Sequence, residues 1–216
     1  MKNQAQMFHF SASSPEVLHL IKNDPALSTA IERVGDLSYT LYDEPYSFMV
    51  NTIIGQMLSN KVADVLSARM LALCGGSVSP AAVAALSEAE LRGIGISSAK
   101  VKYISGLTAH IISEPDFFEV LSGLPDDELL KQMIKLHGVG SWSAKMFMIF
   151  VLNRPDVLPY EDGAFLQSYK WLYETQDTAT ASIKSRCSAW KPYSSIAARF
   201  LYRALDSGLT KTPISK

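Results

Sequence analysis

Apolar residues recur every three or four positions almost from end to end of this chain, and apolar–polar alternation bounded by turn residues is scarce. The first spacing lays one apolar stripe along a helix and the second marks a strand, so the pattern predicts an all-α protein. The first helix opens at "SSPEVLHLIKN", where Ser14 is placed to cap the free amides and Pro15 suits the first turn. "PALSTAIERVG" follows and stops at Gly35, while the aromatic, turn-rich stretch 36–46 reads as a lobe connection. Long helices are expected over 47–60 and 61–74, then a break at "GGSVSP" (75–80) and shorter helices in "PAAVAAL", "SEAELRGI", "SAKVKYISGLTAHII" and "PDDELLKQMIKL". An apolar helix runs to Asn153, a stiff loop with two prolines covers 154–163, and three more helices precede a frayed end at Pro213.

Ten letters are nearly repeated within this pattern: "LRGIGISSAK" at 91–100 and "LHGVGSWSAK" at 136–145. In each a Leu ends one helix, a Gly-apolar-Gly turn follows, and Ser-Ala-Lys starts the next. Glycines there permit backbone angles closed to other residues and bare the first amides of the second helix, where the helix dipole favours an anion such as a phosphate. The same grammar also fits a tight helical turn in which Gly serves sterics alone. The copies differ in two respects. The second has Trp142 where the first has Ser97, and it runs into the Pro-rich loop that holds Asp162.

Composition narrows the classes without choosing among them. With 216 residues, 48% hydrophobic and 19% charged, the chain can bury one sizeable core or two smaller lobes. Its net charge of -1 neither demands nor excludes a polyanionic partner. Charge is unevenly distributed: residues 184–216 carry seven Lys or Arg against the single acid Asp206, and 114–128 carry six acids and no base. Cys74 and Cys187 are too few for a disulfide scaffold, a zinc site or an iron–sulfur cluster, and a reducing cytoplasmic setting is expected. The N-terminus has no signal-peptide pattern, "MFMIFVL" at 146–152 is too short to span a bilayer, and His9, His19, His110 and His137 show no ligand spacing.

The run "LHGVGSWSAKMFMIFVLNRPDVLPYEDGAF" resembles the helix-hairpin-helix and Gly/Pro-Asp signature of the base-excision DNA glycosylases (HhH-GPD), and within them the 3-methyladenine DNA glycosylase II family. "IIGQMLSNKVA" (53–63) is similar to the family's Gln-containing segment and "WKPYSS" (190–195) to its C-terminal Trp-Lys-Pro-aromatic segment, so the resemblance covers about 15–208. It implies two helical lobes with the active site in the cleft between them. One lobe is a central bundle over 45–162, and the other joins 1–44 to 163–216. It also implies the compact form, without the N-terminal β domain of larger members.

The resemblance assigns roles residue by residue. Asp162 matches the catalytic aspartate, whose carboxylate supports positive charge at the sugar as a base leaves; read locally, the same Asp is an ordinary helix N-cap. Its neighbour Glu161 is expected to be solvated. Gln56 would contact the DNA strand and Met57 would plug the gap left by a flipped nucleotide, the alternative for Met57 being helix core. Trp142 and Tyr193 match aromatic base-pocket positions, where a cationic alkylated purine would stack, and Met146 replaces a third aromatic. Gly138, Gly140 and Lys145 would contact phosphates, and backbone carbonyls at Leu136 and Val139 would hold a monovalent cation, Na⁺ or K⁺, with no organic cofactor. Trp142 occupies the position of the lyase branches' Schiff-base lysine, which implies hydrolysis without strand cleavage. The expected partner is damaged double-stranded DNA, with no membrane association, and the expected state is a monomer. The competing readings are a glycosylase for another damaged purine and a non-catalytic DNA-binding hairpin module.

Overall fold

The computed structural model describes residues 7–215. It divides into two compact units, the described part of Met1–Leu41 with Asn153–Lys216, and Tyr42–Leu152. The discontinuous unit begins with β1 (Met7–Phe10), α1 (Pro15–Asn23), α2 (Pro25–Val34) and β2 (Leu37–Thr40). The continuous unit holds α3 (Pro45–Gly55), α4 (Asn60–Leu73), α5 (Pro80–Ala84), α6 (Glu88–Gly93), α7 (Ser98–Ser113), α8 (Phe117–Ser122), α9 (Asp126–Met133) and α10 (Ser141–Phe150). The chain then returns to the first unit with α11 (Gly163–Leu172), α12 (Thr180–Arg186), a short 3₁₀ turn at Cys187–Trp190 and α13 (Ser194–Asp206). Among the described residues helices dominate, as the periodicity predicts.

In the discontinuous unit α13 packs against α2 and α11. The spacing of Ile196, Ala197, Phe200, Leu201 and Ala204 puts them on one side of α13, and all are buried with Leu20, Leu27, Phe165, Tyr169 and Trp190. A carboxylate is among the polar groups buried in this unit. Asp24 caps α2 by accepting from Leu27 N at 3.0 Å, and its other oxygen accepts from Trp190 Nε1 at 2.8 Å and from the Tyr173 hydroxyl. Three donors offset the cost of burying that carboxylate. Burial, then the Asp24 hydrogen bond and charge, hold the Tyr173 phenol far above its ordinary pKa, so it stays a donor. "WKPYSS" thus begins with a core residue, Trp190, fixed from a helix far away in sequence.

In the continuous unit α10 is the buried element, with Ala144, Met146, Phe147, Met148 and Ile149 all enclosed. Phe147 stacks on Phe118 with ring centres 5.3 Å apart and tilts against Phe48 at 6.4 Å. Phe118 belongs to α8, a helix that the periodicity did not predict because its six residues span fewer than two turns.

The structure corrects the sequence reading in four places. Residues 37–40, expected in a connection, pair antiparallel with β1, Phe8 opposite Tyr39; Phe8 and Phe10 stack on the Tyr39 ring at 5.4 and 5.9 Å. Cross-strand aromatic contacts stabilise strands of four residues, too short to show alternation. Ser14 is at the α1 N-cap, but its hydroxyl accepts from Ser11 N at 3.0 Å instead of capping the helix. The helix expected over 47–60 stops at Gly55. Finally, the chain leaves the continuous unit after Leu152 and not after Asp162. The loop beyond is tied to the start of α13: Ser195 N donates to Pro155 O at 3.0 Å, Val157 N donates to Ser195 Oγ at 2.9 Å, and the Ser194 hydroxyl donates to Asp156 Oδ1 at 2.5 Å. The continuous unit therefore spans 42–152, where the central bundle was expected over 45–162.

Candidate functional site

The two Gly-x-Gly turns are built differently despite their shared letters. In the second, Gly138 has φ +85, and a Cβ placed there would lie 2.1 Å from Tyr103 Cγ, so two independent reasons exclude any side chain. Gly140 is the α10 N-cap at φ -97, ψ -179, a conformation open to any residue, and no side chain caps the helix. In the first copy the left-handed residue is Gly95, at φ +104, which aligns with Gly140; Gly93, aligned with Gly138, is the last residue of α6. Ser97 then caps α7, its hydroxyl accepting from Lys100 N at 3.4 Å. The first helix therefore has a capping hydroxyl at its N-cap residue, whereas the N-cap residue of the second is a glycine with no side chain to cap it, which favours an anion at α10.

Met57 projects from the linker between α3 and α4. It is 101% exposed, the most exposed large apolar residue described, and it has φ +58. A non-glycine residue in that region costs roughly 1–2 kcal/mol, and exposing a thioether chain to water adds nothing favourable. The helix-core alternative for Met57 is thereby excluded. Around it, Gln56 Nε2 donates to Gly138 O at 2.8 Å and to Ser143 Oγ at 3.1 Å. The Gln56 amide nitrogen is thus directed to the second hairpin. Lys100 Nζ donates to Ile54 O and Gln56 O, both at 2.7 Å.

Asp162 is 9% exposed and heads α11, with Oδ2 accepting from Phe165 N at 2.8 Å. It is an N-cap, as the local sequence predicts. It also has a neighbour that sequence reasoning missed: the buried Tyr202 phenol, which feels the charge of its carboxylate. Burial, followed by the Asp162 charge, holds the Tyr202 phenol well above its ordinary pKa, partly opposed by the Arg199 charge. Arg199 is 6% exposed, with its guanidinium carbon 3.6 Å above the Tyr39 ring centre. Tyr39 in turn donates to Asn153 Oδ1 at 3.0 Å. Arg199 and Tyr202 are three positions apart and share one side of α13. The available signal was an arginine interrupting an otherwise apolar helix face. Such a set can hold a carboxylate fixed in direction, as support of a developing cation requires.

The remaining expected residues divide. Tyr193, half-buried at the N-cap of α13, meets the His19 ring edge-on at 5.3 Å. Trp142 is half-buried in the first turn of α10, and Met146, four residues on and 7% exposed, follows it on the same side of that helix. Glu161 is exposed, as expected. Lys145 is only 7% exposed, because α10 is enclosed along most of its length. Among the described residues no cluster of three or more His, Cys, Asp or Glu could hold a metal ion, and no helix is long and apolar enough to cross a membrane.

Comparison with known proteins bears on these arrangements. The family described as HhH-GPD superfamily base excision DNA repair protein matches residues 50–192, a span that contains both hairpins, Met57, Asp162 and Trp190. A crystal structure of a DNA-3-methyladenine glycosidase from Bacillus halodurans superposes with a TM-score of 0.82 at 30% identity, over 96% of this chain and 97% of that one. The DNA-3-methyladenine glycosylase 1 of Schizosaccharomyces pombe is 24% identical over 164 residues, 74% of this chain and 72% of its own. The fold is shared as well with a 3-methyladenine DNA glycosylase of the same yeast in complex with abasic DNA, at a TM-score of 0.81 and 22% identity over 89% of this chain and 97% of that one. On the family match across most of its length, and on a fold held in common at 30% identity, the chain belongs to the HhH-GPD superfamily of base excision DNA repair proteins.

Proposed function

We propose that this protein is a monofunctional DNA glycosylase that hydrolyses the N-glycosidic bond of alkylated purines, 3-methyladenine and 7-methylguanine, in duplex DNA. The observation that carries the reading is the fixed, buried carboxylate of Asp162 at the head of α11. A purine alkylated on a ring nitrogen carries positive charge and leaves with the electrons of the C–N bond as a neutral base. Positive charge moves to the sugar, where Asp162 stabilises it; water then forms the new C–O bond and gives up a proton.

Other groups take supporting roles. The start of α10, with Gly138 and Gly140, receives a backbone phosphate. Met57 fills the gap left by the flipped nucleotide, Trp142 and Tyr193 each offer an aromatic face to the base, and Met146 follows Trp142 on α10. Leu136 O accepts from Val139 N at 3.0 Å and retains a second lone pair, so it and Val139 O would serve a monovalent cation at the hairpin. With tryptophan at position 142 in place of a lysine nucleophile, the reaction stops at an abasic site. Support also comes from relatives named for 3-methyladenine release.

Asp162→Asn separates charge from capping, because Asn caps a helix about as well as Asp. Its expected result is an unchanged melting temperature, retained binding to abasic-site duplex, and a fall in methylpurine release of roughly a hundredfold or more. Wild-type protein should leave alkali-labile sites without direct strand breaks. No release by wild type from methylated duplex overturns the reading, and full activity of Asp162→Asn reduces that residue to a cap.

A further inference from the structure

We infer that Lys100, in the first hairpin's helix, is a positioning residue for DNA distortion: it holds the linker that projects Met57. The inference rests on the reading of Met57 as the residue that enters the gap. It uses a side chain that neither hairpin motif nor proposed chemistry otherwise employs.

A helix leaves its last carbonyls without partners, and the carbonyl end attracts cations. Lys100 Nζ meets this need at the end of α3, where it bonds Ile54 O and Gln56 O at 2.7 Å each. Those two oxygens lie immediately before Met57, whose φ of +58 a relaxed linker would not keep. Strained conformations of this kind persist when their surroundings over-determine them. Here one ammonium fixes the carbonyl side, and Gln56 Nε2 fixes the linker to Gly138 O and Ser143 Oγ.

Both anchors lead to the second hairpin. Lys100 starts α7, and one turn later Tyr103 packs its ring under Gly138 and edge-on to His137 at 4.8 Å. Helix α7 therefore sets the Met57 linker and the phosphate-binding turn from one rigid rod. Burial lowers the Lys100 pKa, so the ammonium is held by those carbonyls at some desolvation cost and is not an idle surface charge.

The test uses the full chain and a duplex containing a tetrahydrofuran abasic analogue beside 2-aminopurine, whose fluorescence reports unstacking when a side chain enters the gap. Lys100→Met keeps the aliphatic stem and removes the donors. It should abolish most of the fluorescence change and lower single-turnover methylpurine release from duplex about tenfold, equivalent to ~1.4 kcal/mol. Met57→Ala should do the same, and the double variant should be no worse than either alone. Lys100→Arg, which can still donate to two carbonyls, should recover most of the signal. If Lys100→Met does not fold, Lys100→Gln carries the same comparison.

A wild-type fluorescence change that Lys100→Met leaves intact overturns the inference, as does additive loss in the double variant. Absence of methylpurine release by wild type sinks the glycosylase reading alone, because the fluorescence arm needs no catalysis. If Met57→Ala leaves the fluorescence change intact, the gap-filling reading and this inference fall together.

Discussion

The decapeptides 91–100 and 136–145 agree at six positions, including both glycines and the final Lys, yet their backbones turn at different residues. In the first the left-handed turn falls on Gly95 and a serine closes the next helix; in the second it falls on Gly138 and a glycine opens it. The lysines diverge too, Lys100 reaching the end of α3 while Lys145 is buried. Position in a repeat therefore does not fix backbone conformation; the neighbours do. Tyr103 lies against Gly138, and no atom approaches within 4 Å of a Cβ at Gly93. The first copy's helix is the support on which the second copy's turn rests.

Substitutions at paired positions test this division. The largest effect should be at Gly138→Ala, where a methyl 2.1 Å from Tyr103 adds to a left-handed backbone. Expected destabilisation is on the order of 4 kcal/mol or more, seen as a fall in melting temperature of roughly ten degrees, with DNA affinity lost even in the remaining folded fraction. Gly95→Ala meets Leu66 Cδ2 at 3.0 Å with φ +104. It should cost about 1–2 kcal/mol and leave the affinity of folded protein unchanged, measured by anisotropy on abasic duplex. Equal affinity losses at Gly95 and Gly138 would break the comparison. Ser97→Ala removes the α7 cap and should cost ~1 kcal/mol in denaturant unfolding. An affinity loss with no change in stability would mean that the first helix start also meets DNA. The smallest effect is expected at Gly93→Ala, within about 0.5 kcal/mol of wild type. A clash-sized loss there would show that the first turn uses its glycines as the second does.

The Asp162 loop and the Met57 linker show how far sequence could be read. Asp162 stood out because the family resemblance matched it to the catalytic aspartate, while its place at the start of an apolar helix read locally as a cap, and capping is a local property. Its Tyr202 neighbour was not legible, since it comes from α13, far along the chain, and a tyrosine in an amphipathic helix reads as packing. At Met57 the family resemblance pointed to a plug, whereas helical periodicity ran straight through to residue 60. The break at Gly55 has no strong local signal, because "GQMLS" can continue a helix as readily as stop it. The burial of Lys145 was not legible for the converse reason: a lysine in sequence reads as solvated, and only enclosure of α10 shows otherwise.

By itself the sequence determined the helical class, most helix starts and stops, and the two chemically marked segments, because these depend on periodicity, turn residues and caps within a few positions. It did not determine which glycine turns, where Lys100 reaches, what steadies Asp162, or that four residues at Leu37 pair as a strand. Each of those is set by a group distant in sequence: a ring under Gly138, two carbonyls at the end of α3, a phenol from α13, and an aromatic strand from the N-terminal segment. Local pattern specifies what a segment can become, and long-range packing selects among the conformations that pattern allows.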